Sequence, residues 1–142
     1  PWIVEEYALR PDSGGAGEHR GGLSNVKQML CTGDMLVSQM TNKHKIGAWG
    51  LKGGGEGKVG ATLYKKSGTE EWETAVDAFG KVSPRKYSNG PMKPGDRVRV
   101  LAPGGGGFGA PSKRSMDSVS EDVSEGFVSI KEAEDKYGYR LK

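Results

Sequence analysis

Cysteine is almost absent: Cys31 is the only one in 142 residues, which excludes an intrachain disulfide framework and a zinc cluster built on several thiolates. Such a residue reads as a small half-buried side chain. As a nucleophile it would need a base, and the two histidines, His19 and His44, lie in separate segments. Long apolar runs are missing too. Nothing approaches the ~20 apolar residues of a membrane span, and the opening Pro1-Trp2-Ile3-Val4-Glu5-Glu6 has no basic stretch followed by an apolar one. The expectation is a cytoplasmic chain with no membrane association. Large apolar side chains are scarce, at 34% hydrophobic and 8% aromatic residues, so the core is expected to be thin or shared with another chain. A strong excess of one charge is also lacking. The net charge is +3, with basic clusters at 43–45 and 113–114 and an acidic one from Ser118 to Glu125. That is no footprint for nucleic acid, and it suits an anionic metabolite or an acidic partner surface.

What the chain has is glycine, 24 residues, or roughly twice the usual share. Two stretches are densest: Arg10-Pro-Asp-Ser-Gly-Gly-Ala-Gly-Glu-His-Arg-Gly-Gly22 and Ala102-Pro-Gly-Gly-Gly-Gly-Phe-Gly109. Charged and aromatic residues at fixed places distinguish both from a flexible linker.

Alternation predicts strands at Trp2 to Leu9, Ala61 to Lys65 and, most clearly, Arg97 to Leu101. Val26 to Cys31 and Met35 to Thr41 read as a hairpin turning at Thr32-Gly33-Asp34, and Trp72 to Ala78 reads as a further strand. Lys45 to Gly60, with seven glycines, is expected to be an irregular loop, and Lys81 to Pro94 a loop or edge. Met116, Val119, Val123 and Phe127 share a helical face. Ser129 with Glu132 forms a capping box for a second helix, which Gly138 stops. The expected fold is mainly β, a short-stranded barrel or sandwich with Gly-rich loops and two short C-terminal helices. The expected division is a β-rich domain, 1–112, and a helical tail, 113–142.

The second cluster contains G-x-G-x-x-G as Gly104, Gly106 and Gly109, but four successive glycines satisfy that template almost automatically, and Ala110-Pro111 interrupts the helix it needs. Neither cluster supplies a P-loop. Gly104, Gly105, Gly106 and Gly107 therefore read either as close backbone packing or as an anion-binding nest. In the first cluster Arg10, Asp12, His19 and Arg20 are candidates for gripping a phosphate or carboxylate if the loop folds back on itself. The alternative is an ion pair from Asp12 to Arg10 or Arg20 that only fixes the loop. A metal site from Asp12 and His19 lacks a third ligand, so no metal is expected on the chain. Trp2, Trp49 and Trp72 read as core or interface anchors.

Four blocks in order, Tyr7 to Gly22, Trp49-Gly-Leu-Lys-Gly-Gly54, Lys93-Pro-Gly-Asp-Arg-Val-Arg-Val100 and Pro103 to Gly109, resemble the C-terminal part of the hydantoinase B/oxoprolinase family. The tail from Val119 to Tyr137 is similar as well. Family members are several times longer, so the chain is expected to be either a processed fragment or a separate small subunit. A subunit of this size resembles one in the multi-subunit acetophenone carboxylase type, related to acetone carboxylase.

The resemblance implies a small, non-autonomous subunit of an ATP-dependent carboxylase, a ligase of ketone metabolism that joins a ketone to bicarbonate. It implies a hetero-oligomer with large hydantoinase A-like and hydantoinase B-like subunits. ATP and a divalent cation, Mg or Mn, would be bound by those partners and none by this chain, which alone would be inactive. The alternative within the family is ATP-dependent hydantoinase or 5-oxoprolinase chemistry, the hydrolysis of a cyclic amide. An alternative of another class is an independent β-module that binds an anionic ligand.

Overall fold

The computed structural model describes residues 1–140. Contacts group them into two units, the first from Pro1–Ala8, Val26–His44 and Gly60–Leu101, the second from Leu9–Asn25, Lys45–Val59 and the chain from Ala102 onward.

Strands β1 (Trp2–Arg10), β2 (Ser24–Cys31), β4 (Ala61–Lys65) and β6 (Arg97–Leu101), counted to the first unit except for Leu9, Arg10, Ser24 and Asn25, form one sheet in the order β1-β2-β6-β4. Strands β3 (Met35–Met40) and β5 (Lys86–Met92) form a second, two-stranded antiparallel sheet. Strand β6 sits between β2 and β4 because its apolar alternates have partners on both sides. Val98 stands opposite Met29 and opposite Tyr64, while Arg97 and Arg99 take the other face. Cys31, Tyr64, Ala75, Met92 and Val98 form the buried centre, with Met35, Phe79 and Tyr87 packed against it. The mainly β expectation holds. The sheets do not close into a barrel among the described residues.

Two local expectations fail. Strands β2 and β3 are not a hairpin: β2 lies between β1 and β6, and β3 pairs with β5. Residues 32–34 instead carry the chain from one sheet to the other. Cys31 exchanges backbone bonds with the Pro94-Gly95-Asp96 turn, its N–H donating to Asp96 at 2.8 Å and its carbonyl accepting from Gly95 at 2.9 Å. The expected strand at Trp72 to Ala78 contains helix α1 (Ala75–Phe79), because Thr74 caps the Val76 N–H and Gly80 takes the left-handed conformation that ends a helix. Only a Tyr64 to Glu73 bridge of the strand remains. Between Lys81 and Pro94 lies β5, bonded to β3 with a register shift, which suits the expected edge.

The second unit is built on glycine. Stretches of its three segments run side by side without regular strands, joined by main-chain hydrogen bonds. Gly15 donates to Gly105, Gly55 to Ala16, Lys58 to Ser13, Gly104 to Lys58 and Gly107 to Gly55, all at 2.6 to 2.9 Å. The backbones approach so closely that a methyl at Gly104 would overlap the Ser13 carbonyl oxygen, and one at Gly106 that of Trp49. Helix α2 (Met116–Ser124) is capped by Ser115 and helix α3 (Ile130–Tyr137) by Ser129, with Gly138 closing α3. Their buried residues Val119, Ala133 and Tyr137 meet Ala16 and Val128 in a small core of this unit. The expected helical face is shortened, since α2 stops before Phe127 and leaves Met116 exposed.

Candidate functional site

Everything the sequence offered as a candidate site falls within the second unit. Arg10 places Nη1 on the carbonyls of Val59, at 2.8 Å, and Ala102, at 3.2 Å, fastening the three segments where they start or end. Ser13, fully buried, donates to the Arg10 carbonyl at 2.6 Å and accepts from Ser24 N–H at 2.8 Å.

Asp12 takes a φ of 59°, a conformation that Asp tolerates better than most residues. That turn lets its Oδ1 accept the Ser129 N–H at 2.7 Å while its own N–H donates to the Phe127 carbonyl at 3.0 Å. Lys58 Nζ stands 3.9 Å from its other oxygen. Asp12 thus joins the first glycine loop to the start of α3 and pairs with neither Arg10 nor Arg20.

Arg20 grips Asp122 with two bonds, Nη2 to Oδ1 at 3.1 Å and Nε to Oδ2 at 3.2 Å. Arg114 adds a third, Nη2 to Oδ2 at 2.7 Å, and its Nη1 reaches the Glu18 carbonyl at 3.2 Å. Phe127 closes the group from the side, its ring 5.6 Å from the Arg20 guanidinium carbon. A buried carboxylate between two guanidiniums is a clamp, and it holds α2 against the glycine loop.

His19 differs from its neighbours. Its main chain exchanges two bonds with Phe108, both at 2.9 Å, yet its side chain stays exposed. The imidazole centre lies 6.1 Å from that of the Phe108 ring. Beside it, Leu51 bridges to Phe108 from the Lys45–Val59 segment, and Lys52 Nζ lies 5.4 Å from the same ring. Trp49, 78% exposed, lies two residues before Leu51 in the same glycine-rich stretch.

Arg10, Asp12, His19 and Arg20 therefore do not converge: each goes to a different partner. Among the described residues no three His, Cys, Asp or Glu side chains gather as a metal site requires. In the second cluster the N–H groups of Gly104, Gly105 and Gly107 donate to the carbonyls of Lys58, Gly22 and Gly55, so three of the four proposed nest donors serve the backbone bundle.

Sequence reasoning missed Asp122, Arg114 and Lys58. A signal existed for the first: Asp122 lies three residues after Val119 and one before Val123, a charge on the buried face of a helix, which requires a cationic partner.

The order of the fastened segments, an Arg-Pro-Asp-Ser-Gly-Gly loop, a Trp-Gly-Leu-Lys-Gly-Gly loop and a final glycine run, is matched by known proteins. The family profile described as Hydantoinase B/oxoprolinase fits residues 1–111. The chain belongs to the hydantoinase B/oxoprolinase family. An uncharacterized protein of Methanocaldococcus jannaschii is 33% identical to this family member over 141 residues, 99% of this chain and 23% of its own length. The beta chain of a caprolactamase from Pseudomonas jessenii is 32% identical over 145 residues, 97% of this chain and 23% of its own length. Among solved structures, the ATP-dependent caprolactamase from Pseudomonas jessenii superposes with a TM-score of 0.79 at 27% identity, covering 100% of this chain and 24% of the other. A nucleotide-free acetone carboxylase shares the fold, with a TM-score of 0.75 at 22% identity over 100% of this chain and 22% of its own. This hydantoinase B/oxoprolinase chain spans about a quarter of the length of each of these relatives.

Proposed function

We propose that the chain serves as the C-terminal section of the B-type half of an ATP-dependent enzyme that opens a cyclic amide, working with large hydantoinase A-like and hydantoinase B-like polypeptides. The observation that supports this reading most is the likeness to an ATP-dependent caprolactamase along the whole chain. ATP and a divalent cation belong to the companions. Phosphorylation of the amide oxygen lets it leave as phosphate once water has added to the amide carbon, and the cation offsets the charge of the transferred phosphoryl group.

This section contributes form. Arg10, Asp12 and Arg20 hold the glycine bundle and its helices together, and the bundle presents His19, Lys52, Trp49, Leu51 and Phe108 on a fixed backbone. Of the four candidates in the first glycine cluster, His19 is the one whose side chain is free to meet substrate or a companion.

Ketone carboxylation with bicarbonate, the finer expectation from sequence, is the second reading; acetone carboxylase shares this fold. One assay separates them. Phosphate release by the assembled enzyme is measured with a cyclic amide (a hydantoin, 5-oxoproline or caprolactam) and with a ketone, each with and without bicarbonate. The first reading expects release driven by a cyclic amide without bicarbonate, and release that needs both ketone and bicarbonate overturns it in favour of the second.

A further inference from the structure

Strand β1 stands at the end of the sheet order, so one of its edges bonds to β2 and the other bonds to nothing among the described residues. It is nine residues long. A long apolar edge invites pairing, and folded proteins blunt such edges with proline, charged side chains (lysine above all) or brevity; the charges between Trp2 and Leu9 are Glu5 and Glu6. From Trp2 to Leu9 there is no proline and no lysine. Trp2, Ile3, Val4, Tyr7 and Leu9 are all exposed, from 38% at Trp2 to 69% at Tyr7. Because successive side chains point to opposite faces, Ile3 and Val4 leave apolar groups open on both sides of the strand. That is the character of a strand inside a sheet, placed at its edge.

Charge selects the occupant. Symmetric pairing of two copies centred on β1 would set Glu6 of one directly against Glu6 of the other, and opposed like charges destabilise a strand pair. Glu5 is already engaged, with Arg97 at 2.9 Å and Gln28 at 2.8 Å, whereas Glu6 makes no ion pair among the described residues. A different stretch of sequence is at hand in the relatives. The chain matches 23% of one and 24% of another, leaving about three quarters of each outside the match.

Given the B-type role proposed above, we propose that β1 is a strand-addition interface, completed along its open edge by an extended segment of the remaining B-type polypeptide that sets a basic side chain opposite Glu6. Main-chain bonds supply the affinity and the apolar alternates the fit.

Residue-resolved amide hydrogen exchange on the assembled enzyme tests this without knowing which amides face outward. An edge strand protects every second amide, whereas a strand paired on both sides protects all of them. The proposal expects consecutive amides from Ile3 to Leu9 to exchange at least about a hundredfold more slowly than in a free peptide. It further expects Glu6→Lys to weaken assembly at least tenfold, and Glu6→Gln to weaken it less. Persistent alternation in an assembled, active enzyme overturns the interface while leaving the B-type role intact. Absence of any B-type companion overturns both. Full protection in the chain alone, with a dimer mass, assigns the edge to a second copy and overturns the proposal.

Discussion

Arg20 and Asp122 meet through two parallel bonds, 3.1 and 3.2 Å, across 102 residues of sequence. Arg114 reaches the same carboxylate, and the side chains of all three are largely buried. Removing the shared carboxylate leaves two buried guanidiniums facing each other without compensation. Asp122→Asn is expected to cost about 3 to 5 kcal/mol, read as a lowered urea midpoint with an unchanged slope.

The glycine bundle makes a contrast between two positions. A methyl at Gly104 overlaps the Ser13 carbonyl, while one at Gly22 meets nothing within 4 Å, and neither residue has a positive φ. Gly104→Ala is expected to destabilise by about 3 kcal/mol or more. Gly22→Ala is expected to be neutral or to stabilise by about 0.4 to 1 kcal/mol, through the unfolded chain. Thermal unfolding of both variants checks the pair.

His19 is fastened by its main chain and exposed by its side chain. His19→Ala is therefore expected to keep stability within about 0.5 kcal/mol. Turnover of the assembled enzyme is expected to fall at least tenfold. Unchanged turnover would reduce His19 to part of the surface.

His44 and Asp96 both make the first unit sensitive to acid. Burial, then the positive charge of Arg85, holds the His44 imidazole below its ordinary 6.5, so the fold favours the neutral ring. The stability it contributes is present above pH 6.5 and drains away as pH falls through the lowered folded value. At Asp96 burial pushes the carboxyl up, but the Ser67 and Lys93 amides and the Lys66 ammonium outweigh it, leaving it below 3.8. Its contribution is present above pH 3.8 and is lost below. His44→Gln should flatten the stability curve below pH 6.5, and Asp96→Asn should flatten it below 3.8. Urea unfolding across pH 3 to 8 shows both.

Legibility followed the range of the interactions. Strand β6 was readable from Val98 and Val100 alternating with Arg97 and Arg99, and the helix ends at Ser129 and Gly138 from local capping chemistry. The hairpin reading failed because Thr32-Gly33-Asp34 has the form of a tight turn, while the partners of β2 and β3 lie far off in sequence, on β6 and β5. Helix α1 was missed because five residues carry little periodicity and only Thr74 and Gly80 mark it. In the candidate site, composition showed which residues carry chemistry. Their separation into a staple at Arg10, a cap at Asp12 and a clamp at Arg20 depends on Val59, Ser129 and Asp122, which no local pattern links to them.

The mass of the native species that carries this chain in its host tests the account most directly. A particle containing A-type and B-type companions, far above the 15.2 kDa of the chain alone, is the predicted result. A stable 15.2 kDa monomer that unfolds cooperatively and binds no companion would contradict it.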